Sequence, residues 1–202
     1  MNNFFWLWAN LLLLHSTAIA QTAIIRFDQF TVQIPGLALW NQSQLHDSVH
    51  YQTAEVYMEL GEALEGSNVH IVDHSIKQLQ VEQKMETSIT IMGEGPHCDL
   101  LNWKHFDTGW QELNQEKSNL FNTIMYSPKT ANLFPEVSMN DVKEAVKKEC
   151  GDGWAEKIRN LTSILEYPST VGTSRYFLRI SGINESGKII QKLIILNYPM
   201  GC

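Results

Sequence analysis

The sequence predicts an α+β fold: a mainly antiparallel sheet with two or three packed helices and a C-terminal β-hairpin. Apolar and polar residues alternate through much of the first half, which is the period of a half-buried strand. The second half contains apolar residues at helical spacing, followed by two strand-like segments around a polar turn. Because strands and helices are segregated along the chain, a doubly wound parallel sheet is not expected.

The strongest strand signal covers residues 79–91. The apolar side chains of this segment share one parity, and the other parity is polar throughout, as expected for a strand with one face on a core and one in water. The apolar positions are Leu79, Val81, Met85, Ile89 and Ile91. A turn at Gly93–Pro96 is predicted to end the strand, because proline cannot donate a ladder hydrogen bond.

Shorter strands are predicted on both sides of this segment. The predicted segments are Phe30–Ile34, Val69–Ile76 and Leu120–Tyr126. Residues 49–60 also alternate in part, although residues 54–64 fit a helix equally well. The chain closes on a predicted hairpin, in which Arg175–Ser181 and Lys188–Leu196 flank a turn at residues 182–187.

Three segments have helical spacing. The first contains an apolar stripe of Leu100, Trp103, Phe106, Trp110 and Leu113. Ser138 is predicted to cap the second helix, with Asp141 three residues later and Gly151 as the stop. The third is short and runs from Trp154 to Leu165.

The first 20 residues have the pattern of a secretory signal peptide. They contain no charged side chain, and an apolar run is followed by the small-residue site Ala18-Ile19-Ala20. The run is short for a transmembrane helix, which needs about 20 apolar residues. We therefore expect cleavage after Ala20, a secreted or periplasmic location and no stable membrane insertion. Residues 21–202 contain no repeat or long linker and are predicted to form one globular domain.

The composition excludes several classes of protein. The chain has 202 residues and a net charge of −7, from 15 Lys and Arg against 22 Asp and Glu. An acidic chain is not held on nucleic acid mainly by charge, because phosphate binding needs clustered cations. The same charge suits a basic protein partner, since complementary potentials accelerate association.

The three cysteines all follow the predicted signal peptide. In an oxidising compartment a disulfide is expected, and three cysteines form one bridge and leave one over. We predict Cys98–Cys150, because Cys202 is the last residue and chain ends fray. A bridge to Cys202 remains the alternative.

The candidate site is the segment His97-Cys98-Asp99, together with His105. It combines a turn, a histidine, a cysteine and the expected start of a helix, for which Asp99 is the predicted N-cap. A sharper hypothesis makes Cys98 a nucleophile activated by its neighbours. The simpler interpretation, which we favour, is a corner held by a disulfide.

We predict no metal site and no cofactor. His46 and His50, and likewise His70 and His74, are four residues apart, but His70 and His74 lie in an extended segment. There they would be about 13 Å apart, too far to hold one ion together. A composite zinc site is geometrically conceivable, yet no spacing demands it; its members would be His70, Asp73, His97 and His105. Sequons occur at Asn41, Asn160 and Asn184, and they matter only in a eukaryotic host.

Two functions fit these observations. The first is an exported, non-enzymatic binding protein of the inhibitor or immunity type, acting on a protein partner. The alternative is a metal- or thiol-dependent hydrolase centred on His97-Cys98-Asp99. The known catalytic motifs are absent from the sequence, so the catalytic residues are unknown and the first function is the expectation.

Overall fold

The computed structural model describes residues 21–41, 44–47, 52–72 and 75–200. The predicted signal peptide lies outside these ranges, as do His50, Asp73, His74 and Cys202. Thirteen strands and three helices occur in the described part of the chain. The strands are β1 (Thr22–Arg26), β2 (Thr31–Pro35), β3 (Gln44–Asp47), β4 (Gln52–Tyr57), β5 (Asn68–Val72), β6 (Lys77–Ile91), β7 (Cys98–Asp99), β8 (Phe106–Asp107), β9 (Gln111–Glu112), β10 (Asn114–Lys117), β11 (Leu120–Asn122), β12 (Ser169–Ile183) and β13 (Ile189–Asn197). The helices are α1 (Pro128–Ala131), α2 (Met139–Cys150) and α3 (Asp152–Lys157).

The strands form two sheets. The five-stranded sheet has the order β1-β2-β5-β11-β10 and is antiparallel throughout. The second sheet has the order β3-β4-β13-β12-β6-β7, with β8 and β9 also paired to β6. Within it β4 and β13 are parallel, and the remaining pairs are antiparallel. The predicted α+β class, the mainly antiparallel pairing and the C-terminal hairpin of β12 and β13 are therefore confirmed. The structure has more strand and less helix than expected.

A large apolar core lies between the two sheets. Ile25, Val32 and Ile71 contribute to it from the five-stranded sheet, and Val81 and Ile194 face them from the other. All five side chains have no measurable exposure. The alternation seen in the sequence explains this arrangement, because successive side chains of a strand point to opposite faces. Residues 52–57, where the sequence allowed either helix or strand, form the strand β4.

A second, smaller core joins the helices to one end of the larger sheet. Val142 and Val146 of α2 pack there against Ile89 and Ile91 of β6 and Val171 of β12. The predicted cap is confirmed, since the Ser138 side chain accepts a hydrogen bond from the Asp141 N–H. The third helix is shorter than predicted and ends at Lys157. None of the helices in the described ranges is long and apolar enough to cross a membrane.

The predicted helix over the Leu100–Leu113 stripe is wrong. This segment is a series of turns with the two short strands β8 and β9, which pair with the edge of β6. Its apolar residues serve different neighbours, because Leu100 belongs to the helical core and Leu113 to the core between the sheets. Gly109, at φ 68°, adopts a left-handed conformation that interrupts a helix. Without a helix here, Asp99 is not an N-cap.

The expectation that β6 keeps one face in water is also wrong for its second half. From Met85 to Ile91 every side chain is buried, because the segment after β7 and the helices cover the outer face. The polar groups find partners: the Ser88 hydroxyl bonds that of Ser174 at 2.9 Å, and Thr87 donates to the Leu133 carbonyl at 2.6 Å. Burying hydroxyls is tolerated when they are hydrogen-bonded in this way.

One ion pair links the two sheets. The Lys192 ammonium lies 2.6 Å from the Asp28 carboxylate and 3.3 Å from the Gln52 side-chain carbonyl. Lys192 belongs to β13 and is 7% exposed, whereas Asp28 lies in the turn between β1 and β2. Removing the carboxylate would leave the buried ammonium without its counter-ion, which costs more than replacing the cation by an apolar chain.

We predict opposite results for the two halves of this pair. Asp28→Asn should lower the free energy of unfolding by about 1–2 kcal/mol, because part of the buried charge loses its partner. Lys192→Met should be near neutral, since the apolar chain fits the buried position. Urea denaturation measures both, and Asp152→Asn on the surface is the control. Equal destabilisation by the two variants would contradict the asymmetry.

A buried tyrosine makes stability sensitive to high pH. Burial raises the pKa of Tyr176 above its ordinary value of 10.0, and the neighbouring Glu65 carboxylate, which accepts its hydroxyl hydrogen, adds to the effect. The folded state therefore keeps the phenol protonated, while the unfolded chain loses that proton above about pH 10.

Stability should consequently fall as the pH rises above about 10 and be insensitive to this group below that value. Tyr176→Phe removes the ionisable hydroxyl, so its unfolding free energy should decline less steeply over the alkaline range. Denaturant titrations of the wild type and the variant, at about pH 8 and at several values above about pH 10, give the change of unfolding free energy with pH for each protein. An identical pH dependence of the unfolding free energy in the wild type and the variant would show that Tyr176 does not contribute to the loss of stability.

Candidate functional site

The structure brings Cys98 and Cys150, the pair expected from the sequence, to disulfide distance, with their Cα atoms 6.0 Å apart. Cys98 lies in β7 at the edge of β6, and Cys150 is the last residue of α2. The bridge therefore ties the helical core to the sheet. Cys98 is 2% exposed and has no free thiol in this state, so it cannot act as a nucleophile without prior reduction.

The two neighbours of Cys98 contact each other instead. His97 Nδ1 lies 2.9 Å from Asp99 Oδ1, and the same oxygen accepts a hydrogen bond from the Thr90 hydroxyl at 2.7 Å. A carboxylate in this position fixes the orientation of the imidazole ring. A histidine oriented by a carboxylate is part of a catalytic triad, but Cys98, bonded to Cys150, supplies no nucleophile to this pair.

His105 does not join this group. Its Nε2 lies 3.5 Å from the buried Glu86 carboxylate, which also faces Arg175 with an Nε–Oε1 distance of 3.0 Å. Glu86 and Thr90 are four residues apart along β6, or about 13 Å. The candidate residues therefore form two separate polar contacts along one strand rather than one site.

The histidines of the possible metal site are also dispersed. His70 Nε2 contacts the Asn119 side-chain amide at 2.9 Å in the five-stranded sheet. His46 lies in β3 of the other sheet. Asp73, His50 and His74 lie outside the described residues. Within the described ranges, no three His, Cys, Asp or Glu side chains are grouped closely enough to hold a metal ion.

The aromatic residues of the wrongly predicted helix cover the sheet surface. The Trp103 ring stacks on Phe134, and Trp110 meets Phe177 edge to face with centroids 6.4 Å apart. The Arg179 guanidinium lies 4.3 Å from the centre of the Trp110 ring and forms two 2.6 Å hydrogen bonds to Glu82. These contacts give both tryptophan rings a structural role.

A cleft of about 610 Å³ borders the edge of the five-stranded sheet. One wall is β1, and the other is the segment of residues 37–41 that crosses to the end of β4. Trp40 stands beside it with 80% of its surface exposed, and Ile24 of β1 is 40% exposed. We call this feature, with its two walls and Glu59, the edge cleft.

The backbone of β1 is open on the side of the cleft. Two hydrogen bonds flank the β1–β2 ladder, from Gly36 N–H to the Gln21 carbonyl and from Phe27 N–H to the Phe30 carbonyl. In an antiparallel ladder, hydrogen-bonded residue pairs alternate with pairs that exchange no hydrogen bond. Because the flanking bonds involve residues 21 and 27, the odd-numbered residues of β1 are the ones that bond to β2. The N–H and C=O groups of Thr22, Ile24 and Arg26 consequently point to the free edge.

Trp40 and Glu59 line the other wall, and Tyr57 lies beside Trp40. The Trp40 N–H donates to the Tyr57 carbonyl, and the Glu59 N–H donates to that of Ala38. This short antiparallel pairing places the Trp40, Tyr57 and Glu59 side chains on one face. Tyr57 is 48% exposed, and Glu59 forms no ion pair with another described residue.

Sequence reasoning did not single out the edge cleft. β1 is short, and Trp40 lies in a connecting segment with no periodic pattern. A lone tryptophan in a loop was the one available signal, since most large apolar side chains are drawn into a core. The free edge itself depends on strand order, which hydrophobic periodicity does not contain.

No family model, curated protein or solved structure matches the chain.

The role of the disulfide can be tested directly. Cys98→Ala with Cys150→Ala should lower the free energy of unfolding by about 2–4 kcal/mol, because a long loop in the unfolded chain is no longer closed. Protease sensitivity should increase first in α2 and α3, which the bridge anchors. Cys202→Ala is the control and should leave both measurements unchanged. An unaltered double variant would contradict an anchoring role.

Proposed function

We propose that the chain is an exported, non-enzymatic binding protein that acts on a protein partner in the periplasm or outside the cell. Export is supported by the apolar, uncharged first 20 residues with their Ala18-Ile19-Ala20 site and by the Cys98–Cys150 pair. An inhibitor or immunity-type role fits a small antiparallel scaffold with an open edge at β1.

The edge cleft is the observation that carries this proposal. Trp40 is the most exposed large apolar side chain in the described part of the molecule, at 80%. Tryptophan dominates the energetics of many protein interfaces, because it buries a large, rigid surface and loses little conformational entropy. Ile24 lines the same cleft, Tyr57 pairs with Trp40 through its backbone, and both side chains are exposed. This clustering is typical of an interaction surface rather than of scattered apolar residues.

A basic partner fits the charge of the protein. The chain carries a net charge of −7, and the Glu59 carboxylate at the edge cleft forms no ion pair with another described residue. Opposite charge on the partner would accelerate encounter and satisfy this carboxylate. The acidic balance also argues against nucleic acid as the partner.

The hydrolase alternative has weaker support. Its thiol version requires a free Cys98, whereas Cys98 lies at bonding distance from Cys150 and is buried. Its histidines contact different carboxylates, His97 that of Asp99 and His105 that of Glu86. The binding function needs none of these groups to move.

The test uses a matched pair of exposed aromatic residues. The exported protein captures its partner from an envelope extract, and the partner is then purified and titrated by calorimetry. Trp40→Ala should weaken binding about 30-fold, the effect of losing an interface contact worth ~2 kcal/mol. Tyr167→Ala, which removes a ring that is 79% exposed elsewhere, should change affinity less than about twofold.

Two results would contradict the proposal. One is unchanged affinity in Trp40→Ala, and the other is equal loss in both variants. The association rate should also fall as salt is raised, because screening weakens attraction between opposite charges. A rate that is insensitive to salt would count against a basic partner.

A further inference from the structure

The two edges of the five-stranded sheet are protected to different degrees. At one edge β10 presents Asn114–Lys117, four exposed polar or charged residues, with an irregular register between Gln115 and Lys117. Charged side chains and bulges are the usual devices that prevent another strand from pairing with an edge. This edge is therefore closed to strand addition.

The β1 edge has no bulge, and its only charged residue, Arg26, lies at the end of the strand. Its register with β2 is regular over all five residues, and an apolar side chain, Ile24, stands exposed at its centre. Thr22, Ile24 and Arg26 direct their free backbone donors and acceptors outward, as the ladder requires. An open, regular edge that borders an aromatic wall matches the way proteins receive an extended segment of a partner.

We propose that the partner adds an extended segment to β1 as a sixth strand of this sheet, with a cationic residue over Trp40 and Glu59. This inference rests on the proposed binding function and specifies its mode. Backbone hydrogen bonds to Thr22, Ile24 and Arg26 supply the pairing, and the edge cleft receives alternate side chains of the added strand.

The charges of the edge cleft define the chemistry of that segment. Glu59 bonds through its backbone to Ala38, which follows closely after Gly36, and Gly36 is bonded to Gln21. Glu59 therefore lies toward the Gln21 end of β1, whereas Arg26 ends the strand at the other end. The added segment carries a cation at the Glu59 end, where Trp40 offers a cation–π contact. An acidic or polar residue faces Arg26.

A second copy of the chain fits this edge less well. Both copies would carry a net charge of −7, so they repel one another. Pairing of two five-residue strands alone also buries less surface than the roughly 1,200 Å² of a stable interface. A basic partner adds charge attraction to the same backbone pairing.

The test uses a synthetic strand as the probe. It is a capped peptide of about seven residues, with lysine at one end, glutamate at the other and alternating valine and threonine between them. Titration at up to about 1 mM into the exported, isotope-labelled protein should shift the amide resonances of Thr22, Ile24 and Arg26 and the Trp40 indole. The amides of β10 provide an internal control.

Matched variants separate backbone pairing from side-chain contact. Ile24→Pro removes the outward N–H and should abolish binding of the peptide, whereas Ile24→Thr keeps the N–H and should retain it. A peptide N-methylated on the residues that pair with β1 gives the same test without altering the protein, should Ile24→Pro fail to fold. Replacing both charged peptide residues by glutamine should weaken binding about tenfold.

Several outcomes would overturn the inference. These are no shift at Ile24, shifts centred on β10, or undiminished binding of the N-methylated peptide. Ile24 shifts that change with protein concentration alone would identify a second copy as the occupant. If the natural partner loses affinity with Trp40→Ala but not with Ile24→Pro, the proposed function stands and strand addition fails.

Discussion

The antiparallel pairing of β6 with β12 is the constraint on which the rest of the structure depends. Each strand has fifteen residues, and their ladder runs from the Ser169–Ile91 pair to the Ile183–Lys77 pair. One stretch of the ladder supplies Val81 and Leu178 to the core between the sheets. The other supplies Ile89 and Val171 to the helical core. A shift of one residue would turn both sets of side chains away from their cores.

This shared ladder explains why the two candidate sites differ in character. The His97-Cys98-Asp99 segment lies against the end of β6, where the disulfide, the buried hydroxyls and α2 all meet. The disulfide and the hydrogen bond from Thr90 to Asp99 hold this corner of the fold together. The edge cleft lies at the margin of the smaller sheet, where β1 pairs with β2 alone among the described strands. Its unsatisfied edge and exposed Trp40 are directed outward, so it is the better candidate for recognition.

The sequence predicted those parts of the fold that depend on local pattern. The alternation over residues 79–91 located β6, and Ser138 with Gly151 located the ends of α2, because strand period and helix caps are local properties. The Leu100–Leu113 stripe was misread for a physical reason. The apolar residues of this segment have helical spacing by coincidence, because they contact two different cores. The spacing of apolar residues cannot distinguish one buried helix face from several separate contacts. The edge cleft could not be predicted, since it depends on which strand is last in the sheet.

The central claim is that recognition occurs at the β1 edge and not at the disulfide corner. Hydrogen exchange of the protein with and without its purified natural partner compares the two sites in one experiment. The claim requires that the partner slow exchange of the Ile24 amide, whose N–H points to the free edge, and leave residues 97–99 unchanged. Protection confined to residues 97–99, with Ile24 exchanging as fast as in the free protein, would contradict it.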